Sequence, residues 1–365
     1  MTSPYGHPFV RRGIERYCSE LAAWLTGRGH DVTWVCTSPT PLASSRTPAG
    51  YRMRYAARGR QWGAGRFRID EQLSCFAPLT RAVHAERFDV VECHHHVDGA
   101  ATRLGGWRSM PYIQWIPGAP SRDWMTGQPL HRAALRLATT GARRIHCISS
   151  YARGGLKEHL GLEAEVVSPG VDTSRYAAAG PTAPTAKILC TADGSDPRKD
   201  LGTLVRAFEI LCRHRDDVEL VLAAQDPRPA EALVAPLADE ARRLTHIPRE
   251  LTLEELDLLY GEATVTVLPS RREAFGLVLV ESLAAGTPVV GTDDGAIPEI
   301  ITNDNIGRLF PAGDADALAR TIDEVIAIGR QAGTAEACRH HAQQWDWTIR
   351  GPIIERALLS LVGDR

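Results

Sequence analysis

The segment from residue 264 to residue 288 constrains the fold of this chain more than any other stretch. It opens with Thr-Val-Thr-Val-Leu at residues 264–268, a β-branched run that predicts a buried strand. Helix formers fill residues 277–285, and a glycine and a proline that follow end the helix. The segment is therefore predicted as strand, tight loop and helix, with Glu273 in the loop and Glu281 about one turn inside the helix.

The start of this helix has the chemistry of an anion-binding site. The amides of Phe275, Gly276 and Leu277 precede the first helical hydrogen bonds, so they are expected to point outward with the positive end of the dipole. Gly276 has no side chain and lets a ligand approach the backbone. An ionised Glu281 only accepts hydrogen bonds, and its two oxygens suit a vicinal diol such as a ribose. Together these features predict a site for a nucleoside diphosphate, whereas two isolated glutamates would indicate only surface acids.

The same stretch resembles a known family. It contains Pro269-Ser-Arg-Arg-Glu-Ala-Phe-Gly276, and seven residues separate Glu273 from Glu281. This pattern is similar to that of the family 4 retaining glycosyltransferases, in which Glu-x7-Glu accompanies Pro-Ser-x-x-Glu-x-Phe-Gly. The resemblance implies an α/β protein of GT-B architecture, with two Rossmann-like doubly wound domains facing across a cleft. It covers nearly the whole chain, densely from residue 143 and more thinly over residues 37–142.

Composition narrows the class further. The net charge of −2 gives no overall electrostatic footprint for nucleic acid or an anionic membrane. None of the eight cysteines forms a Cys-x-x-Cys pair, and several lie in apolar runs, which favours buried free thiols in a reducing compartment. No apolar run approaches about 18 residues and no signal-like leader is present. We therefore expect a cytoplasmic protein without a transmembrane segment.

The first half of the chain is predicted to form the acceptor-side domain. A helix begins at Gly13, and residues 31–36, 88–93 and 111–118 have strand character. Residues 37–64 are rich in Pro, Ser, Gly and Arg without a clear period, and they are predicted as one long loop near the acceptor. By resemblance, the loop containing Gly13 faces the donor diphosphate.

Acceptor-side candidates follow two of these strands. His94-His-His96 comes after the strand at residues 88–93, and His94 and His96 share a face if that strand continues. A metal site is disfavoured because no carboxylate or thiolate stands at a familiar spacing. In many family members the stretch at residues 111–118 ends in His-Gly, whereas this chain has Pro117-Gly118. The residues predicted on the acceptor side are His94, His96, Gln114 and Trp115, and those considered for stacking on a sugar or cyclitol are Trp62, Trp107, Trp115 and Trp124.

A change of composition marks the domain boundary. Residues 173–186 are rich in Ala, Pro, Thr and Gly, and they predict a linker. It joins an acceptor-side domain at residues 1–172 to a nucleotide-sugar-binding domain at residues 187–346. By resemblance, the last helix at residues 349–361 packs back on the first domain.

The loop at residues 193–200 carries a lysine, which is scarce in this chain. Only three of the 42 basic residues are lysine. In the family, a Gly-Arg pair and a later Lys-Gly grip the diphosphate; Lys199 matches the lysine, while Gly194 stands at the arginine position. Arg198 either takes the place of that arginine or leaves it unfilled. The donor-binding residues implied by the resemblance are Gly13, Arg198, Lys199, Glu273, Ala274, Phe275, Gly276, Leu277 and Glu281.

The resemblance also implies a reaction. The expected enzyme is a hexosyltransferase that moves a sugar, with retention, from a nucleotide diphosphate sugar such as a UDP-sugar to a hydroxyl or amine of a small polar acceptor. Secondary-metabolite (aminoglycoside-like, antibiotic) and glycoconjugate biosynthesis are the expected contexts. Lys199 and Glu273 are the predicted catalytic residues: Lys199 stabilises the departing diphosphate, and Glu273 contacts the transferred sugar or balances positive charge at its anomeric carbon. No cofactor is expected, and no metal, because no Asp-x-Asp signature follows a first-domain strand.

Two alternatives belong to other functional classes. A nucleotide-sugar-binding pseudoenzyme would explain why Pro117 and Gly194 depart from the family pattern. A phosphorylase on the same fold would need a buried lysine for pyridoxal phosphate, which three lysines make a poor prediction.

The first residues depart from the family as well. Family members begin with an apolar central strand, whereas this sequence opens with Met1-Thr-Ser-Pro-Tyr-Gly-His-Pro. Thr2 and Ser3 are expected to be too few to fill a central strand position, and Pro4 cannot donate to a sheet. We therefore expect the natural protein to start several residues upstream.

Overall fold

The architecture is taken from a computed structural model, which describes residues 1–6, 13–104, 110–118, 127–176, 184–224 and 226–362. The chain divides into two compact units. The N-terminal unit comprises Met1–Gly170 and Trp347–Arg365, and the C-terminal unit comprises Val171–Asp346. Each unit is built around its own mainly parallel sheet.

In the N-terminal unit, the described strands are β1 (Thr33–Ser38), β2 (Ser45–Arg46), β3 (Arg52–Ala57), β4 (Val91–Cys93), β5 (Tyr112–Ile116), β6 (Arg144–Cys147) and β7 (Glu165–Val166). They form two runs in the orders β1-β3-β2 and β4-β5-β6-β7. All pairs are parallel except β2 with β3. The described helices before the domain boundary are α1 (Gly13–Gly27), α2 (Phe76–His84), α3 (His96–Leu104), α4 (Pro129–Gly141) and α5 (Ser150–Leu160).

The first residues of the chain join the two runs of strands. Thr2 forms parallel bridges to both Val35 of β1 and Cys93 of β4. The Thr2 amide donates to Glu92 O at 2.8 Å, and the Val35 amide donates to Met1 O at 2.9 Å. The expectation that these residues are too short to fill the central position is therefore wrong, because a few backbone hydrogen bonds on each side satisfy the short neighbouring strands.

The prediction of one continuous loop at residues 37–64 is also wrong, because β2 and β3 lie inside it. In β3 the buried Met53 alternates with Arg52 and Arg54, and both arginines pair with Glu86. The sequence carries a signal for this strand, because Tyr51, Met53 and Tyr55 alternate with Arg52 and Arg54, but the Pro, Ser, Gly and Arg content of residues 37–64 masked it. The carboxylate that makes the position of the two arginines favourable lies about 30 residues further along the chain.

The C-terminal unit contains the strands β8 (Ala186–Cys190), β9 (Val218–Leu222), β10 (Thr245–His246), β11 (Val265–Leu268), β12 (Val289–Thr292) and β13 (Gly307–Phe310). Its described helices are α6 (Leu201–Leu211), α7 (Arg228–Val234), α8 (Asp239–Arg243), α9 (Leu253–Glu262), α10 (Leu277–Ala285), α11 (Ala315–Gly329) and α12 (Thr334–Ala342). All strand pairs are parallel, in the order β10-β9-β8-β11-β12-β13. This is the doubly wound Rossmann order, whose direction reverses between β8 and β11.

The last helix, α13 (Trp347–Val362), belongs to the N-terminal unit. Trp347 Nε1 donates to Glu20 of α1 at 2.8 Å, and His30 Nε2 lies 2.7 Å from Glu355. Of the predicted linker, residues 173–175 form a short 3-10 helix, residues 177–183 lie outside the described residues, and β8 begins at residue 186.

The state of the cysteines and the character of the helices bear on expectations drawn from composition. All eight cysteines are free thiols, and seven of them are buried, as predicted. Within the described ranges, none of the helices combines the length and apolar character that a membrane-spanning segment requires.

Candidate active site

The predicted strand, loop and helix form as expected at the switch point of the C-terminal sheet. β11 ends at Leu268, and α10 begins at Leu277 after a loop whose last residue is Gly276. Gly276 has φ of 101°, a left-handed conformation that glycine adopts without strain. Among the described residues, no side chain caps α10. The helix therefore presents its N-terminal amides and positive dipole end where ligands bind in this fold.

Glu281 lies inside α10 and is held by a tyrosine from α9. Its side chain is buried, and Tyr260 Oη donates to its Oε2 at 2.8 Å. Thr191, the residue after β8, lies 3.1 Å from Tyr260 Oη through its own hydroxyl. These contacts connect the end of β8, through α9, to the interior of α10. They hold a buried carboxylate in a fixed orientation about one turn inside α10.

Lys199 and Glu273, the two predicted catalytic residues, lie together. Lys199 Nζ is 2.6 Å from Glu273 Oε2, and both side chains are partly buried. Their loops are also joined through the backbone, because the Arg271 amide donates to Arg198 O at 2.7 Å. This pair of an ammonium and a carboxylate lies near the N-terminus of α10. It can offer one positive and one negative group to a ligand that carries a diphosphate and a sugar.

The backbone of Glu273 is fixed from the other side by the loop after β12. The Ala296 amide donates to Glu273 O at 2.9 Å. Gly295 has φ of 70°, and a Cβ on it would lie only 2.5 Å from Glu273 O. Only glycine fits there, so this close backbone approach sets the position of Glu273.

Arg198 is oriented toward its own loop by Asp196. Arg198 Nη2 donates to Asp196 Oδ2 at 2.6 Å, which raises the pKa of Arg198. Partial burial opposes ionisation of Asp196, but the hydrogen bonds from Arg198 outweigh it and lower the pKa of that carboxyl. A Cβ on Gly194 would lie 3.0 Å from Cβ of Pro229, so an arginine at the family position would crowd this loop. That Arg198 takes the place of the family arginine stays a prediction.

Three of the four acceptor-side candidates are buried in the N-terminal unit. His94 Nδ1 lies 3.0 Å from Thr2 O, Trp115 stacks on Tyr17 with ring centroids 4.4 Å apart, and Gln114 Nε2 donates to three backbone carbonyls. Their contact with an acceptor stays a prediction. Gly13 is the exposed first residue of α1. Trp62 is also exposed, and Trp107 and Trp124 lie outside the described residues.

His96 belongs to a hydrogen-bonded chain of side chains. β4 ends at Cys93 and His96 begins α3, so the condition that would put His94 and His96 on one strand face is not met. His96 Nε2 lies 2.8 Å from His131 Nδ1, and His131 Nε2 lies 2.7 Å from Asp70 Oδ2. Desolvation lowers the pKa of His96, so its ring is neutral at neutral pH. This carboxylate–imidazole–imidazole chain lies at the carboxyl end of β4, where α/β sheets bind ligands.

Sequence reasoning missed Tyr260, Thr191, Asp196, His131 and Asp70. The tyrosine stands in an ordinary helical pattern, and its partner is 21 positions away. Asp196-Pro-Arg198 was detectable, because an aspartate two residues before an arginine can cap the turn and pair with the cation. Among the described residues, no group of three or more His, Cys, Asp or Glu is arranged to hold a metal ion.

Two α/β units, each with a mainly parallel sheet, are typical of GT-B glycosyltransferases, and so is a helix N-terminus that lies open at the switch point of the second sheet. Enzymes of this class use nucleotide-sugar donors. The comparison with family models gives the particular family. The model of Glycosyltransferase Family 4 matches residues 11–175, and that of Glycosyl transferases group 1 matches residues 174–345. The chain belongs to glycosyltransferase family 4.

Individual relatives extend over most of the chain. A D-inositol 3-phosphate glycosyltransferase of Kribbella flavida is 26% identical and covers 95% of this chain and 91% of its own length. An alpha-maltose-1-phosphate synthase of Mycobacterium tuberculosis is 32% identical over 57% of this chain and 59% of its own length.

Solved structures confirm the predicted GT-B fold class. A sucrose-phosphate synthase from Thermosynechococcus elongatus superposes with a TM-score of 0.83 at 19% identity and covers 100% of this chain and 98% of its own. HepE from Anabaena, solved with UDP and glucose, superposes with a TM-score of 0.74 at 16% identity and covers 98% of both chains.

Proposed function

We propose that this enzyme transfers a sugar, with retention of configuration, from a UDP-sugar held in the C-terminal unit to a hydroxyl or amine of a small polar acceptor. The observation that carries the proposal is the arrangement at the switch point, where the buried Glu281 and the paired Lys199 and Glu273 flank the start of α10. Each group matches one part of such a donor.

The ribose is assigned to Glu281. A carboxylate held by Tyr260 presents acceptor oxygens to the ribose hydroxyls, and its burial keeps water from competing for them. Tyr260 is assigned the role of a positioning residue, because its hydroxyl acts through Glu281.

The diphosphate is assigned to the α10 N-terminus, Lys199 and Arg198. Negative charge grows on the diphosphate as its bond to the sugar breaks, and fixed dipoles and cations there stabilise the transition state more than the bound donor. Lys199 is paired with Glu273. Its ammonium has three donors, so it can bind a phosphate oxygen while it keeps contact with the carboxylate.

Glu273 is assigned to the transferred sugar. Its backbone is fixed by the Ala296 amide and by Gly295, so its carboxylate has a defined place near the N-terminus of α10. In this position, in the loop before α10, the Glu273 carboxylate accepts hydrogen bonds from sugar hydroxyls or balances positive charge at the anomeric carbon.

Relatives support the classes of donor and acceptor. HepE is solved with UDP and glucose, and a relative of similar length is named a D-inositol 3-phosphate glycosyltransferase. A uracil nucleotide donor and a polyol or aminocyclitol acceptor, of aminoglycoside-like or glycoconjugate type, agree with these names.

The experiment has two stages. A thermal-shift screen against UDP-, GDP- and ADP-sugars identifies the donor, because a ligand that binds the folded chain raises its melting temperature. Radiolabelled donor is then incubated with polyol and aminocyclitol acceptors, and the product is examined by proton NMR. We expect stabilisation by a UDP-sugar and a product with the anomeric configuration of the donor. Binding without turnover on any acceptor would favour a pseudoenzyme, and an inverted linkage would contradict retention.

A further inference from the structure

The net charge of −2 hides an uneven distribution of charge. Between residues 32 and 69 the sequence has seven arginines and neither an acidic residue nor a lysine. Arg52 and Arg54 are neutralised by Glu86, and Arg58 by Glu71. Among the described residues, no carboxylate pairs with the remaining arginines in the second half of this stretch, which are Arg60, Arg66 and Arg68.

These three arginines lie on one loop, residues 58–69, which we name the arginine–aromatic loop. It leaves β3 and closes on itself, since the Trp62 amide donates to Ile69 O at 3.2 Å and the Ile69 amide donates to Trp62 O at 2.8 Å. The Gly59 amide donates to Ser74 O at 3.2 Å and fixes the base of the loop. The loop is therefore a pinned hairpin whose tip has a defined shape.

The tip of the loop exposes large aromatic side chains as well as cations. Every residue from 59 to 68 is exposed. Trp62 is 69% exposed and Phe67 is 56% exposed. The Arg66 guanidinium lies 5.2 Å from the centre of the Phe67 ring, so a cation accompanies an aromatic face. Exposing aromatic rings of this size to water is unfavourable. Their exposure therefore indicates a surface that binds an apolar partner.

We propose that the arginine–aromatic loop docks the N-terminal unit on an anionic phospholipid surface. Arginines bind the lipid phosphates, while Trp62 and Phe67 enter the interfacial region, where aromatic rings are favoured. A small anionic acceptor would need a concave site that surrounds it, whereas every residue of this tip is exposed. The contact is peripheral and places no helix across the bilayer.

The test is co-sedimentation of the full chain with vesicles. We expect binding to vesicles of mixed phosphatidylglycerol and phosphatidylcholine, weak binding to phosphatidylcholine alone, and release at high salt. A triple Arg60→Gln, Arg66→Gln, Arg68→Gln variant should lose affinity by on the order of a hundredfold, about fivefold for each arginine. A Trp62→Ser, Phe67→Ser variant should also bind more weakly while it keeps the salt dependence.

A matched control separates the loop from net charge. The exposed arginines of the C-terminal unit chosen for a second triple Arg→Gln variant are Arg213, Arg243 and Arg320. This variant changes the net charge equally and should bind vesicles as the wild-type chain does. Equal binding to both vesicle types, equal losses in the two triple variants, or loop variants that keep vesicle binding but lose transfer to a soluble acceptor would each overturn the proposal.

Discussion

Tyr260 donates a hydrogen bond of 2.8 Å to Glu281, and both side chains are buried. A carboxylate only accepts, so the tyrosine must use its one proton on Glu281, and Thr191 must be the donor in its 3.1 Å contact with Tyr260. Burial, and then the charge of Glu281, raise the pKa of Tyr260 well above its usual value. The phenol therefore stays protonated at physiological pH and keeps its proton available for the hydrogen bond to Glu281.

Replacing Tyr260 with Phe should weaken binding of the nucleotide donor by on the order of tenfold. A hydrogen bond to a charged group contributes about 1.5–3 kcal/mol, and part of its loss lowers donor affinity because Glu281 is no longer held in one orientation. Calorimetric titration with UDP measures the effect. The loss should shrink with 2′-deoxy or 3′-deoxy nucleotides, which lack part of the diol.

The control for this variant is Tyr112→Phe, which removes a buried hydroxyl that donates to Ala138 O in the N-terminal unit. It should leave UDP affinity unchanged. A Tyr260→Phe variant that weakens UDP and its deoxy analogues equally would mean that the tyrosine only supports packing.

Lys199→Ala should lower the turnover number more than the affinity for the donor. Its charge is needed most as the diphosphate departs, so the larger loss is in the transition state. Steady-state kinetics beside donor titrations separate the two quantities. Lys157→Ala is the matched control, since Lys157 is an exposed lysine that pairs with Glu163 in the other unit. Equal losses in turnover and binding would identify Lys199 as a simple anchor.

Arg198→Gln should weaken UDP severalfold and leave uridine binding unchanged, because the guanidinium is assigned to the diphosphate alone. The chain provides a matched control in Asp226-Pro-Arg228, which repeats Asp196-Pro-Arg198. Arg228 Nη2 donates to Asp226 at 2.7 Å, compared with 2.6 Å in the candidate pair. If Arg228→Gln weakens UDP as much as Arg198→Gln does, the assignment is wrong.

His95→Gln should reduce the loss of stability of the protein at acid pH. Desolvation lowers the pKa of His95 in the folded chain to about 3, against an ordinary value of 6.5. The unfolded chain therefore binds a proton that the folded chain refuses, so the stability from the neutral ring is complete above pH 6.5 and is lost as pH falls toward 3. His131 opposes and Asp70 favours its protonation, and the Val97 amide donates to its Nδ1.

Thermal unfolding at about pH 7 and about pH 5 measures this effect. The difference in melting temperature between the two conditions should be smaller in the variant than in the wild type. An unchanged difference would show that His95 does not contribute to the acid sensitivity.

The sequence predicted those elements that depend on interactions between residues close together in the chain. The strand, loop and helix around Gly276 formed as predicted, because β-branched residues, helix formers and a glycine with positive φ each act within a few positions. Lys199 and Glu273 were both assigned to the donor from the sequence, but their ion pair, which joins residues 74 positions apart, required the structure.

The features that could not be predicted from the sequence depend on contacts between residues far apart in the chain. Arg52 and Arg54 of β3 pair with Glu86, which lies 34 and 32 positions away. Thr2 replaces a central strand through bridges to residues 33 and 91 positions away. Tyr260 resembles any apolar helix residue until the fold brings its hydroxyl to Glu281. Periodicity reports burial, and it does not report which buried polar groups meet.

The central claim is that Glu281 holds the ribose of a nucleotide donor, and calorimetric titration of UDP into the wild-type chain and the Glu281→Ala variant tests it most directly. Loss of a charged acceptor that contributes about 1.5–3 kcal/mol should weaken binding by on the order of tenfold to a hundredfold. An unchanged melting temperature without ligand shows that the variant is folded. Equal UDP affinity in the two folded proteins would contradict the account.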